Sequence, residues 1–286
     1  MPLAFACIAL GNFIAYHEGF FDFSIAILTS ITAVFLQVLS NIANDFGDAR
    51  HGADNNQRKG PKRMVDSGFI SRSEMKTGIV IFMFLSLISG VLLLLISVKN
   101  IGSVGAMILF VLGLFAIAAA IAYTASNKPY GYRGLGDISV FIFFGLLAVL
   151  GSYYLQSGVI HLTVFLPSAG MGLLSTGVLN VNNIRDIEAD SIANKNTIPI
   201  KIGEKKAKLY HWALMILPII LFTAFLIINY KSIWQFAFMA PALLLIANGY
   251  FVSKSKTPEQ ISPYLRQLVL SVSLFIISYG LCLVLF

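Results

Sequence analysis

Nine stretches of this 286-residue chain run for 15 to 22 residues without an Asp, Glu, Lys or Arg: 2–16, 24–42, 77–98, 102–122, 138–156, 160–181, 209–229, 233–253 and 267–286. A hydrocarbon core of roughly 30 Å takes about 20 apolar residues of helix to cross, so all but the first are long enough to span a membrane. The pattern predicts an all-α integral membrane protein of about nine transmembrane helices, with 1–286 forming one transmembrane domain and no soluble domain left over. The first stretch is short and has no basic residue ahead of it, so it lacks the positive region of a signal peptide. It reads as a first helix cut short at its N-terminus. Charged residues make up 12% of the chain, against about 25% in an ordinary soluble domain. Cys7 and Cys282 sit in apolar stretches near opposite chain ends and read as packing residues, not as a disulfide framework.

A net charge of +7 would suggest nucleic acid in a soluble protein, but here the placement of the charges decides, and no nucleic acid and no obligate protein partner is expected. The connections at 17–23, 99–101, 157–159 and 230–232 hold only Lys99 and Lys231, and the other 18 of the 20 Lys and Arg lie in 43–76, 123–137, 182–208 and 254–266. The positive-inside rule puts those four loops in the cytoplasm, the N-terminus inside and the C-terminus outside. Eleven of the 13 acidic residues share that side, and none lies within a span. A carrier or pump places ionisable groups near the midplane, so transport is disfavoured.

Two acidic clusters stand at matching places. At the end of the second span Asn41, Asp45 and Asp48 are spaced i, i+4, i+7, with Asn44 beside them; at the end of the sixth, Asn182, Asp186 and Asp190 are spaced i, i+4, i+8, with Asn183. Either set shares one face of a continuous helix. Four spans separate the clusters, so the chain reads as two related four-helix halves plus one helix around a shared site. Carboxylates converging at a membrane face repel one another unless a cation sits between them, and magnesium suits an oxygen-only ligand set that is completed by water and phosphate. Arg58, Lys59, Lys62 and Arg63 follow the first cluster, and Arg185, Lys195 and Lys201 surround the second. Carboxylates with basic neighbours suit a metal-bound phosphate or diphosphate, which points to a phosphorylated lipid as substrate.

Three stretches, NIANDFGDARHGADNNQRKGPKR at 41–63, YGYRGLGD at 130–137 and NNIRDIEADSIANKNTIPIKIG at 182–203, resemble the UbiA superfamily of intramembrane prenyltransferases. Within it they are most similar to the 1,4-dihydroxy-2-naphthoate branch of menaquinone biosynthesis. The resemblance implies a helical bundle around a central cavity, with cytoplasmic caps and a side opening to the bilayer. It implies transfer of a polyprenyl group from polyprenyl diphosphate to 1,4-dihydroxy-2-naphthoate, giving demethylmenaquinone with loss of diphosphate and carbon dioxide. Asp45, Asp48 and Asp54 would hold one magnesium and Asp186 with Asp190 a second, bridged by the diphosphate. Asn41, Asn44, Asn182 and Asn183 would support the ligands. Arg58, Lys62, Arg63, Lys128, Arg133, Arg185 and Lys195 would neutralise or bind the diphosphate, with Tyr123 and Tyr132 in the loop between the clusters. Synthesis of a quinone of this type implies a bacterial cytoplasmic (inner) membrane.

The same chemistry accounts for the aromatic residues near the loops. Ionising an allylic carbon–oxygen bond leaves a cation that aromatic faces stabilise and water destroys, and Phe46, Tyr123, Tyr130, Tyr132, Phe141, Phe143 and Phe144 are the candidates. For any one of them ordinary packing is the commoner role. In many members of the superfamily a Tyr and a Lys stand four residues apart in this loop; Tyr123 and Lys128 are five apart. His51 is a candidate base and Asp137 a secondary candidate. The alternatives are the same chemistry on another acceptor such as 4-hydroxybenzoate, or a transporter. A CDP-alcohol phosphotransferase is excluded, because its two aspartate pairs form one continuous motif whereas here they lie far apart.

Overall fold

The computed structural model describes residues 2–51 and 70–286. Within them the chain forms helices α1 (Pro2–His17), α2 (Phe23–His51), α3 (Arg72–Ala122), α4 (Gly136–Ser157), α5 (Leu162–Arg185), α6 (Ile187–Ile192), α7 (Ile198–Ile202), α8 (Glu204–Ile228), α9 (Ile233–Lys254) and α10 (Pro258–Leu285). Seven of these, all except α1, α6 and α7, are long and apolar enough to cross a membrane, and α1 is a shorter apolar helix. The 51 residues of α3 would reach about 75 Å if straight, more than twice the thickness of a bilayer core. Gly102 resolves this by leaving helical geometry, at φ 68° and ψ 173°, a conformation that a residue without Cβ adopts at little cost. Arg72–Ala122 is therefore two arms joined where the short 99–101 connection was expected.

The short connections gather at one end of the bundle. There Lys99 pairs with Asp22 at 2.8 Å, the Gln156 amide donates to Asn12 and to the Asp22 carbonyl, and Asn100 donates to the carbonyls of Leu155 and Gln156. Tyr153 donates to Glu18, which also meets His161. At the opposite end Arg50 reaches Asn127, His51 reaches the Ser126 carbonyl, the Asn196 amide donates to Tyr132, and Lys208 to Ser255. The polar loops thus share one end of the bundle, as the distribution of charge required.

Packing is unequal between the halves. The main core draws on α1, α4, α5, α8, α9 and α10, and its centre is a set of edge-to-face contacts among Phe222, Phe238, Phe275 and Tyr279 with ring centroids 4.7–5.4 Å apart. Cys7 and Cys282 are free thiols buried in it. Neither α2 nor α3 contributes to that core. They join the body at the connection end through a small cluster of Ile25, Leu93, Ile101 and Leu155, and at the loop end through the residues around Gly47. Between these two attachments lies a cavity of ≈ 420 Å³, walled by α2 and α3 on one side and by α1 and α4 on the other.

Two glycine contacts set this geometry. Gly145 of α4 packs on Gly172 of α5 so tightly that a Cβ would stand 2.6 Å from the Gly172 Cα, the close backbone approach that small residues permit in membranes. Gly47 of α2 lies on the 124–125 backbone, where a Cβ would come within 2.7 Å of the Ala125 nitrogen and closer still to the Thr124 carbonyl. Gly47→Ala should therefore cost about 1–3 kcal/mol of overpacking and lower the thermal midpoint of the purified protein. Gly78→Ala, whose Cβ would make an ordinary 3.5 Å contact with Ile42, should leave it unchanged or slightly raised.

Candidate active site

A polar pocket of ≈ 140 Å³ opens at the loop end, lined by Asn44 and Asp48 of α2, by Asn182, Asn183, Asp186 and Asp190 of the second cluster, and by Tyr123, Tyr132, Lys195 and Thr197. α2 runs unbroken through His51, so Asn44 and Asp48 point the same way one turn apart. The second cluster is built differently. α5 ends at Arg185, and Asp186 leaves helical geometry at φ −100° and ψ 13° before α6 begins. The Asp186 amide still donates to Asn182 at 3.1 Å and the Asp190 amide to Asp186 at 2.8 Å. The i, i+4, i+8 face therefore survives the break.

Each aspartate has a cationic neighbour. Arg185 grips Asp186 with both arms, Nε to Oδ1 at 2.7 Å and Nη2 to Oδ2 at 2.6 Å, and also donates to Asn182 at 2.8 Å. Both side chains are buried, at 4% and 6% exposure. Lys195 Nζ stands 3.3 Å from Asp48 and 3.3 Å from Asp190. Tyr132 donates its hydroxyl to Asp48 and offers its ring face to Lys195, 4.8 Å from the centroid. Burial pushes the Asp190 carboxyl above the usual carboxylate range; Lys195 pulls it down, and Asp186 and Asp48 push it up. Burial also raises the Tyr123 hydroxyl, helped by Tyr130 and by the negative charges of Asp137, Asp48 and Asp190, so it stays protonated.

The pocket opens into the apolar cavity, because Asn44, Tyr123 and Leu179 line both. Tyr130, Phe143 and Phe144 line the apolar side. Asn41 also lies on that side, where it accepts from Gln37 at 2.9 Å. Asp45 is half-buried and is not among the residues lining either space. Lys128 and Arg133 are exposed, with the Arg133 carbonyl accepting from Lys201. Phe46 packs under Lys76 and Phe141 against Gly172. His51 bonds to the Ser126 carbonyl and packs edge-on to Tyr132 at 5.7 Å, which makes it a strut of the loop. Asp54, Arg58, Lys62 and Arg63 lie outside the described residues.

Motif reading passed over several contributors. Thr124 donates to the Ala43 carbonyl and to Asn44. Thr197 lines the pocket with a buried hydroxyl that has no hydrogen-bond partner among the described residues. Gly47 was the available signal, since a glycine inside a helix between two site residues marks a close backbone approach.

Among the described residues the lining donors are carboxylates, amide oxygens and hydroxyls, with no thiol or imidazole, which fits magnesium rather than zinc. Among the described residues no three His, Cys, Asp or Glu are grouped as a ready-made metal site.

A charged, oxygen-rich pocket at the mouth of an apolar cavity inside a helical membrane bundle defines an intramembrane enzyme for an amphiphile with an anionic head and an apolar tail. Residues 4–277 match the model of the UbiA prenyltransferase family, and the chain belongs to it. It is thus an integral membrane prenyltransferase. It is 42% identical over 94% of its length to the 1,4-dihydroxy-2-naphthoate octaprenyltransferase of Escherichia coli (strain K12), covering 87% of that protein. To its counterpart of the same name in Haemophilus influenzae it is 41% identical over the same shares. A solved UbiA homolog from Aeropyrum pernix K1 has the same fold, with a TM-score of 0.70 at 20% identity, covering 96% of each chain. A homolog from Archaeoglobus fulgidus bound to GPP and Mg2+ matches with a TM-score of 0.62 at 17% identity, covering 100% of this chain and 97% of that one.

Arg185→Ala would strand the buried Asp186 charge and should destabilise the protein by about 3–5 kcal/mol; a thermal melt should show the loss, and adding Asp186→Asn should recover most of it. Asp190 behaves in the opposite way. A carboxyl with a raised folded-state pKa contributes stability that is full below its unfolded value of about 3.9 and is lost as pH rises through the folded value. At neutral pH its charge is a cost, so Asp190→Asn should raise the thermal midpoint of metal-free protein while turnover is lost.

Proposed function

We propose that the chain transfers a polyprenyl group from polyprenyl diphosphate to 1,4-dihydroxy-2-naphthoate, releasing diphosphate and carbon dioxide and giving the reduced, quinol form of demethylmenaquinone. The observation that carries the reaction type is the junction at Asn44, Tyr123 and Leu179, where one wall serves a pocket for an anionic head and a cavity for an apolar tail. The names of relatives 41–42% identical over 94% of the chain support the naphthoate as acceptor. We assign the reaction to the cytoplasmic face of a bacterial inner membrane, with the N-terminus inside and the C-terminus outside, and read the chain as one catalytic domain. The placement of 18 of 20 Lys and Arg in the loops of the site end supports that orientation.

Asp48 with Asp45 and Asp54 is assigned to one magnesium ion, and Asp186 with Asp190 to a second, supported by Asn41, Asn44, Asn182 and Asn183. Magnesium, when bound, offsets the charge that develops on the leaving diphosphate. Lys195, with Arg58, Lys62 and Arg63 from the adjoining loop, adds positive charge at the same oxygens, Arg185 balances Asp186 beside them, and Lys128 and Arg133 supply charge at the rim. Tyr123 and Tyr130, whose rings meet edge-on at 5.2 Å, stand where head and tail join and face the carbon that loses the diphosphate. Tyr132 holds the Asp48 carboxylate in orientation through its hydroxyl. The apolar walls keep water from the allylic cation, which would otherwise be lost to hydrolysis.

The test is diphosphate release by detergent-purified protein given a polyprenyl diphosphate and magnesium, comparing 1,4-dihydroxy-2-naphthoate, 4-hydroxybenzoate and no acceptor. Release with the naphthoate alone is expected. Turnover with the benzoate instead would overturn the acceptor, and silence with both in folded protein would overturn the reaction. Asp48→Ala should lower kcat at least 100-fold in the same assay, since it removes a group that acts on charge developing in the transition state.

A further inference from the structure

α6 ends in a turn that returns the chain over its own last carbonyls. The Lys195 amide donates to the Asp190 carbonyl at 2.9 Å and the Asn194 amide to the Ser191 carbonyl at 3.1 Å, with Asn194 in the left-handed region at φ 54°. This is the Schellman arrangement, with asparagine in the place glycine usually takes. The next residue is fixed as well, because the Asn196 amide donates to the Tyr132 carbonyl at 2.8 Å. The backbone of Lys195 is thus pinned on both sides. Its side chain is delivered into the pocket, between a carboxylate of the first cluster and one of the second.

Among the described residues, the two cations beside the site aspartates are held in different ways. Arg185 makes short, two-armed contacts with a single aspartate on its own helix end and is buried with it. Lys195 makes contacts of 3.3–3.4 Å to oxygens of two aspartates 142 positions apart in the sequence, rests on an aromatic face, and keeps 15% of its side chain exposed. An ammonium on a four-carbon stem is a point charge that moves without breaking a planar fork. Asp48, Asp190 and Lys195 together sum to −1. Withdrawing the ammonium makes that sum one unit more negative.

We infer that Lys195 is a placeholder cation: in the substrate-free protein it holds Asp48 and Asp190 at bridging distance, and it swings aside to the diphosphate when metal and substrate enter. This rests on the proposed metal–diphosphate chemistry. It adds that the site resists divalent ions until a substrate supplies a second anion for the lysine to follow. Lys195 is in this sense a positioning residue as well as a diphosphate ligand. It prevents two buried carboxylates from repelling each other apart, and it delays metal binding until there is something to ionise.

The experiment titrates Mn2+ into substrate-free, detergent-purified protein and reads the free ion by electron paramagnetic resonance. The wild type is compared with Lys195→Met, which keeps the length and loses the charge, and with Lys195→Arg, which keeps the charge. Lys195→Met should bind Mn2+ roughly tenfold more tightly and Lys195→Arg no more tightly than wild type. Affinity in Lys195→Met equal to or weaker than wild type would overturn the inference. If that variant does not fold, Lys195→Gln carries the same expectation and the same refutation. Diphosphate release by the wild type is measured in parallel. Tighter Mn2+ binding in Lys195→Met with a wild type that releases no diphosphate would sink the proposed reaction, and with it the swing to diphosphate, and leave only the competition between Lys195 and the metal. Active wild type with unchanged Mn2+ affinity in the variant would do the reverse.

Discussion

Asp48 and Asp190, 142 positions apart in the sequence, meet at one cation, Lys195. Two carboxylates at the edge of a hydrocarbon slab carry both a desolvation cost and mutual repulsion. Lys195, delivered by the turn after α6, offsets both, and the Tyr132 hydroxyl shares the load on Asp48. Around this contact the loop ends of α2, α4 and α5 are drawn into one cap, with Gly47 letting α2 lie directly on the 124–125 backbone.

The cap matters because the leaf formed by α2 and α3 is otherwise thinly attached. It shares no residue with the main core and meets the body at the far end through Ile25, Leu93, Ile101 and Leu155. A leaf held at its two ends leaves space at its middle, and that space is the apolar cavity. The dense half, with its interlocked Phe222, Phe238, Phe275 and Tyr279, is the rigid wall against which the cavity is formed. Stability and function are thus divided between the halves. Only one can pack fully if the other is to hold a lipid tail.

The positions of the charged residues follow from the same separation of tasks. Inside the bundle the buried polar groups His211 and Asn248 pair with each other at 2.9 Å. The ion pairs among the described residues lie at the two ends, where water or a counter-charge is at hand. The proposed substrate matches this division, with an anionic head suited to the end with the most cations and an apolar tail suited to the cavity.

The run lengths between charges, the split of Lys and Arg between loops, and the spacing of Asn182, Asp186 and Asp190 were legible in the sequence, whereas the first cluster read as a face of Asn41, Asp45 and Asp48 and it is Asn44 with Asp48 that line the pocket. Each follows from the local cost of a charge in hydrocarbon or from the period of one helix. The resemblance of three motifs to a family added the chemistry. Tertiary structure alone decided which cation faces which carboxylate: Arg185 is committed to Asp186, Lys195 to the space between Asp48 and Asp190, and His51 to the loop backbone. It also put Asp45 outside the pocket lining, made Thr124 and Thr197 part of the site, and opened the cavity between α2, α3 and the body. These depend on which helices touch and how closely, and that is set by steric fit at points such as Gly47 and Gly145. Helical period and charge count act within one segment, whereas close packing acts between segments far apart in the chain.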